Sequence, residues 1–235
     1  MLDILHEDDD LLVVNKPAGL VCHPSKDGEW SSLVGRVRLH LGHSEGRLVN
    51  RLDRETSGVV LLAKGPATAR ELGRLFAAGL VTKVYDAIVY GRPPQEDFVI
   101  DAPLGKDDRS EIAIKDGVRA DGAPARTEAR VVREFARPDG WFSLLEVRPR
   151  TGRKHQIRIH LASVGHAVVG DKIYGIDEGL YLKLVTGTLN DDDRRRLLLT
   201  NHALHARALT FEWRARAWEF EARASDEFRA FADAC

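Results

Sequence analysis

The apolar residues of this chain come in short runs, each broken within a few positions by turn residues or charges. None approaches the roughly 18 residues needed to cross a bilayer. Such runs can be buried only by packing against one another, so the chain must build a core from many small elements. Residues 11–15, Leu-Leu-Val-Val-Asn, read as a strand that runs into the turn Lys16-Pro17-Ala18-Gly19. Residues 59–63 read as a buried strand and 81–90 as strongly β-favouring. Residues 125–135 and 141–147 form a strand pair across Ala-Arg-Pro-Asp-Gly, and 203–211 with 217–222 form a closing pair. Helical spacing appears over 31–41, with Ser31 or Ser32 as cap, over 67–77 between Pro66 and Gly79, and over 156–164 up to Gly165. Asp191-Asp192-Asp193 marks a helix start, and 226–234 a terminal helix. Residues 105–123, rich in Asp, Lys, Arg and Gly, read as irregular: a substrate loop or a solvated excursion. The expected fold class is α+β, a mixed, mostly antiparallel sheet with flanking helices. With no linker in view, residues 1–235 are expected to form a single domain.

Composition narrows the partners. The 35 basic and 36 acidic side chains leave a net charge of −1, so a nucleic-acid site would have to be a local patch. The two cysteines, Cys22 and Cys235, sit at opposite ends, which disfavours a structural disulfide and fits a reducing compartment. No basic and apolar leader opens the sequence. A cytoplasmic, soluble monomer without membrane contact is the expectation.

Three segments carry chemistry. Asn50 to Gly58 packs two arginines, two carboxylates, a Thr-Ser pair and a glycine just before an apolar strand. Asp53, between Arg51 and Arg54, can be held ionised by nearby positive charge, although a salt-bridged turn is the better explanation of the segment taken alone. Between Glu146 and His160 five of fifteen residues are Lys or Arg, against one acid. Arg150, Arg153, Lys154 and His155 lie in this basic loop at the start of the helix expected from Gln156, where backbone N–H groups add to anion binding. A solvated basic loop is the bland alternative. In Lys83-Val84-Tyr85-Asp86-Ala87, residues Lys83, Tyr85 and Ala87 share one strand face, and an aromatic there can stack on a base or simply fill a core.

Taken together these stretches resemble the RluA-like pseudouridine synthases, the large bacterial group with an Arg-Leu-Asp-x-x-Thr-Ser-Gly motif. Asn15-Lys16-Pro17-Ala18-Gly19-Leu20, the stretch from Arg51 to Gly58, that from Lys83 to Ala87 and that from Arg150 to Arg158 match in order. Weaker matches follow at Gly170-Asp171-Lys172-Ile173-Tyr174-Gly175 and Leu204-His205-Ala206.

The resemblance implies isomerisation of uridine to pseudouridine in ribosomal or transfer RNA, with no cofactor and no metal. It implies Asp53 as the catalytic carboxylate, Tyr85 as the tyrosine packed against the target base and Arg158 as the cation paired with the aspartate. Arg51 would fill the space left by the flipped base, and Arg54 with the basic loop would contact RNA. The family fold, a mixed sheet with flanking helices around a central cleft, agrees with the pattern above. Two departures stand out. Asn50 occupies a place where many relatives have histidine, which predicts altered local hydrogen bonding. The Asn15-Lys16-Pro17 motif comes so early that no separate N-terminal RNA-binding module is expected.

Other chemistries fit parts of the pattern. A glycoside hydrolase needs two carboxylates roughly 5 to 10 Å apart, and Asp53 with Glu55 would share a face if they lay in a strand. A non-catalytic RNA-binding module would not need the aspartate, tyrosine and arginine together. The pairs His202/His205 and His155/His160 lack cysteine or carboxylate at ligand spacing, so structural roles suit them better than metal binding.

Overall fold

The computed structural model describes residues 2–24, 28–42 and 46–233. Cys235 and the last position of the expected terminal helix lie outside them. The strands are β1 (Ile4–Glu7), β2 (Leu11–Lys16), β3 (Arg47–Leu48), β4 (Ser57–Ala63), β5 (Thr82–Tyr90), β6 (Asp97–Asp101), β7 (Leu104–Lys106), β8 (Asp116–Val118), β9 (Arg126–Arg137), β10 (Gly140–Pro149), β11 (Leu204–Trp213) and β12 (Arg216–Glu221). The helices are α1 (Leu33–Leu41), α2 (Pro66–Ala77), α3 (Gln156–Ser163), α4 (Gly179–Thr186), α5 (Asp191–Leu197) and α6 (Asp226–Asp233). This is the α+β class that the sequence pattern predicts.

The chain divides into two compact units, each assembled from two separate stretches. The first comprises residues 1–85 and 205–225. Its central strand is β4. One edge of β4 pairs antiparallel with β2, from Leu11↔Ala63 to Lys16↔Gly58. The other edge takes β3 at one end and, at the other, β11 in parallel through His205↔Ser57 and Ala206↔Gly58. β1 extends the ladder beyond β2, and β12 pairs antiparallel with β11.

Period-2 alternation explains why residues 11–14 of β2 and 59–63 of β4 are apolar without a break. Leu11, Val13, Val59, Leu61 and Ala63 face a cluster with Leu72 of α2 and Trp218 and Phe220 of β12. Leu12, Val14, Val60 and Leu62 face an opposite cluster with Leu33 and Val37 of α1. Covered on both faces, this stretch of the sheet is filled by apolar side chains alone. Ser32 is the α1 cap, its hydroxyl accepting from Gly35 N at 3.0 Å.

The second unit comprises residues 86–204 and 226–235. β9 and β10 form a long antiparallel hairpin, with β6 on the free edge of β9. α3 lies against Leu104, Ile112, Ala125, Ile173 and Tyr174 through Ile159. Phe231 of α6 meets Phe135 and Phe142 edge-on. Asn190 and Asp193 close a capping box at the start of α5.

The expectation of an irregular excursion over 105–123 is corrected. That stretch contains β8 and the end of β7, paired antiparallel as Leu104↔Val118 to Lys106↔Asp116, and its Ile112 is 1% exposed. A single buried isoleucine with two three-residue strands leaves almost no periodicity to read.

Candidate active site

In the first unit, residues 51–56 are not a strand; they form a loop leading into β4. Asp53 is half-buried at the middle of it, and Leu52 beside it reaches into the α1-side core. Buried side chains hold the peptide carbonyls on both sides of Asp53. Cys22 Sγ donates to Leu52 O at 3.4 Å, and Lys16 Nζ donates to Arg54 O at 3.1 Å. Lys16 is 0% exposed, and its ammonium also donates to Pro17 O and Leu20 O, both at 2.8 Å. Burial pushes its pKa down to about 8, opposed by the negative charge of Asp53. The ammonium therefore remains protonated at neutral pH. The loop carrying the carboxylate is pinned to the Asn15-to-Leu20 turn by one buried cation, which the sequence showed only as a motif residue.

Asn50 anchors the other end of the loop. Its side-chain amide accepts from Leu61 N at 2.8 Å and donates to Val59 O at 3.3 Å, continuing the β3–β4 ladder where the backbone of β3 has stopped. This is the local hydrogen bonding that its amide makes possible. Arg54 is exposed and donates from Nε to Gly19 O at 3.2 Å; Arg51 is exposed. Tyr85 packs its ring on the core cluster of Leu12, Val14, Leu52 and Val60. Burial, and then the negative charge of Asp53, push its phenol above the ordinary tyrosine range. Asp53 and Tyr85 thus belong to one electrostatic neighbourhood, with a neutral phenol beside the carboxylate.

In the second unit, Arg158 projects from α3 and is 5% exposed. Its Nε and Nη2 donate to Asp171 Oδ2 and Oδ1 at 2.6 and 2.8 Å, a buried bidentate pair. Arg158 Cζ lies 5.0 Å from the centre of the Tyr174 ring. Tyr174 accepts at its hydroxyl from Asp116 N at 3.1 Å and meets His155 Nδ1 at 2.9 Å. Asp171 and Tyr174 come from the Gly170-to-Gly175 stretch, whose match in the sequence is weak and whose role no local pattern reveals.

The basic loop is less cationic in space than in sequence. Arg150 pairs with Glu128 at 2.6 Å, Arg148 with Glu146 at 2.9 Å and Lys154 with Asp116 at 2.8 Å, while Arg153 donates to Pro124 O at 3.1 Å. Two of these carboxylates come from β9 and β8, outside the window in which the charge excess was counted. Nor is the start of α3 an open anion site. His155 precedes it in the left-handed conformation at φ 56°, and the Gln156 side chain folds back to accept from Arg153 N at 3.0 Å and Thr151 Oγ1 at 2.6 Å. The same amide donates to Arg126 O and Thr127 Oγ1, locking α3 to β9.

The loop position of Asp53 and Glu55 removes the shared strand face on which a glycosidase pair would rest. The histidines have structural partners. His160, fully buried with its pKa lowered by that burial, meets Thr127 Oγ1 and Ala102 O. His205 meets Ser57 Oγ and Ala222 O, both at 2.9 Å.

Comparison with known proteins bears on this arrangement. The family model described as RNA pseudouridylate synthase matches residues 10–163. An uncharacterized RNA pseudouridine synthase of Chlorobaculum parvum is 38% identical over 224 residues, 89% of this chain and 66% of that protein. Ribosomal large subunit pseudouridine synthase D of Zymomonas mobilis is 34% identical over 220 residues, 89% of this chain and 64% of that one. The solved structure of human RNA Pseudouridylate Synthase Domain Containing 1 aligns with a TM-score of 0.76 at 26% identity, over 95% of this chain and 84% of that one. The chain spans between about half and two thirds of the length of curated relatives such as these.

Proposed function

The chain belongs to the RNA pseudouridylate synthase family, and from that premise we propose that it isomerises uridine to pseudouridine in RNA with Asp53 as the catalytic carboxylate. The observation that carries this reading is the pinned loop: Asp53 is half-buried, its flanking carbonyls are held by Cys22 and Lys16, and the neutral phenol of Tyr85 lies in its field. A reacting carboxylate needs this kind of preorganisation, and a surface turn does not.

In the reaction the C1′–N1 bond breaks, the uracil turns, and a C1′–C5 bond forms. C5 gives up its proton to a base and N1 ends protonated, so atoms balance without cofactor or co-reactant. A paired uridine must first leave its stack. Tyr85 supplies the ring against the extruded base, and Arg51 occupies the gap. Asp53 acts on the ribose, either by attack at C1′ or by removal of a ribose proton. Arg158 is the cation assigned to serve that carboxylate. Arg54, Arg150, Arg153, Lys154 and His155 are assigned to RNA contacts, those of the basic loop by exchanging carboxylate partners for phosphates.

Two relatives carry the name ribosomal large subunit pseudouridine synthase D, which supports large-subunit ribosomal RNA as the substrate class ahead of transfer RNA. The same reading takes the protein to act as a cytoplasmic monomer. The test is a pseudouridine map of ribosomal and transfer RNA from cells with and without this protein, complemented by the Asp53→Asn variant. Sites that vanish without the protein and are not restored by a variant that still binds RNA support the reading. An Asp53→Asn protein that restores them removes Asp53 from the chemistry.

A further inference from the structure

The Gly170-to-Gly175 stretch is a sequence motif that the reaction above leaves without a role, and its geometry is built around a single carboxylate. Asp171 is 1% exposed. Its Oδ1 accepts from Ile173 N at 2.9 Å and Tyr174 N at 3.0 Å as well as from Arg158 Nη2, while Oδ2 accepts from Arg158 Nε at 2.6 Å. The glycines at either end permit this tight turn. A Cβ at Gly175 would stand 2.0 Å from Asp171 O. Gly170 has φ 78°, and a Cβ there would stand 2.8 Å from Asn201 O. Lys172 ties the turn down by donating to Thr200 O at 2.8 Å.

We propose that Asp171 is the positioning residue for Arg158. It grips the Nε–Nη2 edge of the guanidinium and, with the ring of Tyr174 stacked on its face, holds the arginine in one rotamer for the reaction. An arginine side chain has many rotamers to lose, and a bidentate fork on a backbone-anchored carboxylate removes that freedom before RNA binds. The pair also lets a guanidinium lie buried without an uncompensated charge. Tyr174 joins this clamp to the RNA-facing loop through His155, and Asp116 joins it through Lys154. The proposal rests on the assignment of Arg158 to the reaction.

The test uses the full chain with transcripts of large-subunit ribosomal RNA and of transfer RNA. Single-turnover pseudouridine formation, RNA affinity and melting temperature are measured for wild type, Asp171→Asn, Arg158→Ala and the double variant. Asparagine turns an N–H donor toward the arginine, so the fork is lost while the turn keeps one acceptor. The expected result is a rate at least tenfold lower for Asp171→Asn, RNA affinity within about threefold of wild type, and a double variant no slower than Arg158→Ala. A folded Asp171→Asn protein with the wild-type rate overturns the proposal. So does a double variant slowed by both factors multiplied, because Asp171 would then act independently of Arg158. Should Asp171→Asn fail to fold, Asp171→Glu, which keeps the charge but shifts it by one methylene, is held to the same criteria. A wild-type chain that forms no pseudouridine overturns the functional reading and this proposal with it; an active wild type beside an unimpaired Asp171→Asn overturns this proposal alone.

Discussion

A Cβ on Gly58 would stand 2.2 Å from the carbonyl oxygen of Ala206, the residue paired with it across the parallel β4–β11 ladder. Gly58 has φ 115°, and on its other edge it pairs with the buried Lys16. The row Lys16–Gly58–Ala206 therefore crosses three strands just after the Asp53 loop, and only glycine fits its centre. Next to it, Ser57 Oγ lies 2.9 Å from Nδ1 of the His205 ring, whose Nε2 donates to Ala222 O at 2.9 Å.

Gly58→Ala must both adopt an unfavourable φ and push back a backbone carbonyl held on a central strand. The two effects together are expected to cost about 3 kcal/mol or more. For a chain of this size that corresponds to a fall of roughly 6 to 12 °C in melting temperature. A thermal melt within a degree of wild type would show that β11 can shift freely away from β4.

Lys16→Met keeps a long apolar stem in the β2 core and removes the ammonium that satisfies Pro17 O, Leu20 O and Arg54 O. Leaving buried carbonyls without that donor costs about 1 to 3 kcal/mol for each. The expected outcome is a loss of about 3 kcal/mol in denaturant unfolding and, because the Arg54 peptide next to Asp53 is released, a slower reaction at unchanged RNA affinity. Wild-type stability and rate together would show that the turn holds itself.

The carboxyl of Asp171 lies below the ordinary carboxylate range in the folded chain. Burial alone would raise it, but the Arg158 guanidinium more than reverses this, helped by the charge of His202 and the Tyr174 N–H. Tyr90 and Tyr174 also face it as neutral phenols. Because the folded pKa is depressed below the model-peptide value of 3.8, its stabilisation is complete above that pH and is lost as pH falls below it. The stability gap between wild type and Asp171→Asn is therefore expected to narrow between about pH 5 and pH 2.5. A gap that stays constant over that interval would mean that the carboxyl titrates alike in the folded and unfolded chain, and one that widens as pH falls would mean that Asp171 is protonated in the folded protein.

The basic loop shows where sequence reading falls short. Counting charges from Glu146 to His160 finds an excess of cations, yet Glu128 on β9 and Asp116 on β8 are folded against Arg150 and Lys154. Strand pairing brings residues of distant sequence side by side, and no window along the chain registers it. The irregular reading of 105–123 failed for a related reason: three-residue strands bury too few side chains to leave a period.

What the sequence by itself determined is what local physics controls. Continuous apolar runs marked the doubly covered strands β2 and β4. Ser32 marked the start of α1, Asp191-Asp192-Asp193 that of α5, and the Pro-Asp-Gly turn the β9–β10 hairpin. The order of four motifs pointed to the family and to Asp53, because those residue types must recur around one reaction. Only the tertiary structure decided which partners those residues have. Lys16 looks like an ordinary charged residue ending a strand, and becomes the buried clamp of the Asp53 loop only because three carbonyls converge on it. Asp171 lies thirteen positions from Arg158, outside α3, and its carboxylate meets the guanidinium only because the Gly170-to-Gly175 turn folds back on that helix. Burial and ion pairing depend on what arrives from elsewhere in the chain, and that is set by packing, not by neighbours in sequence.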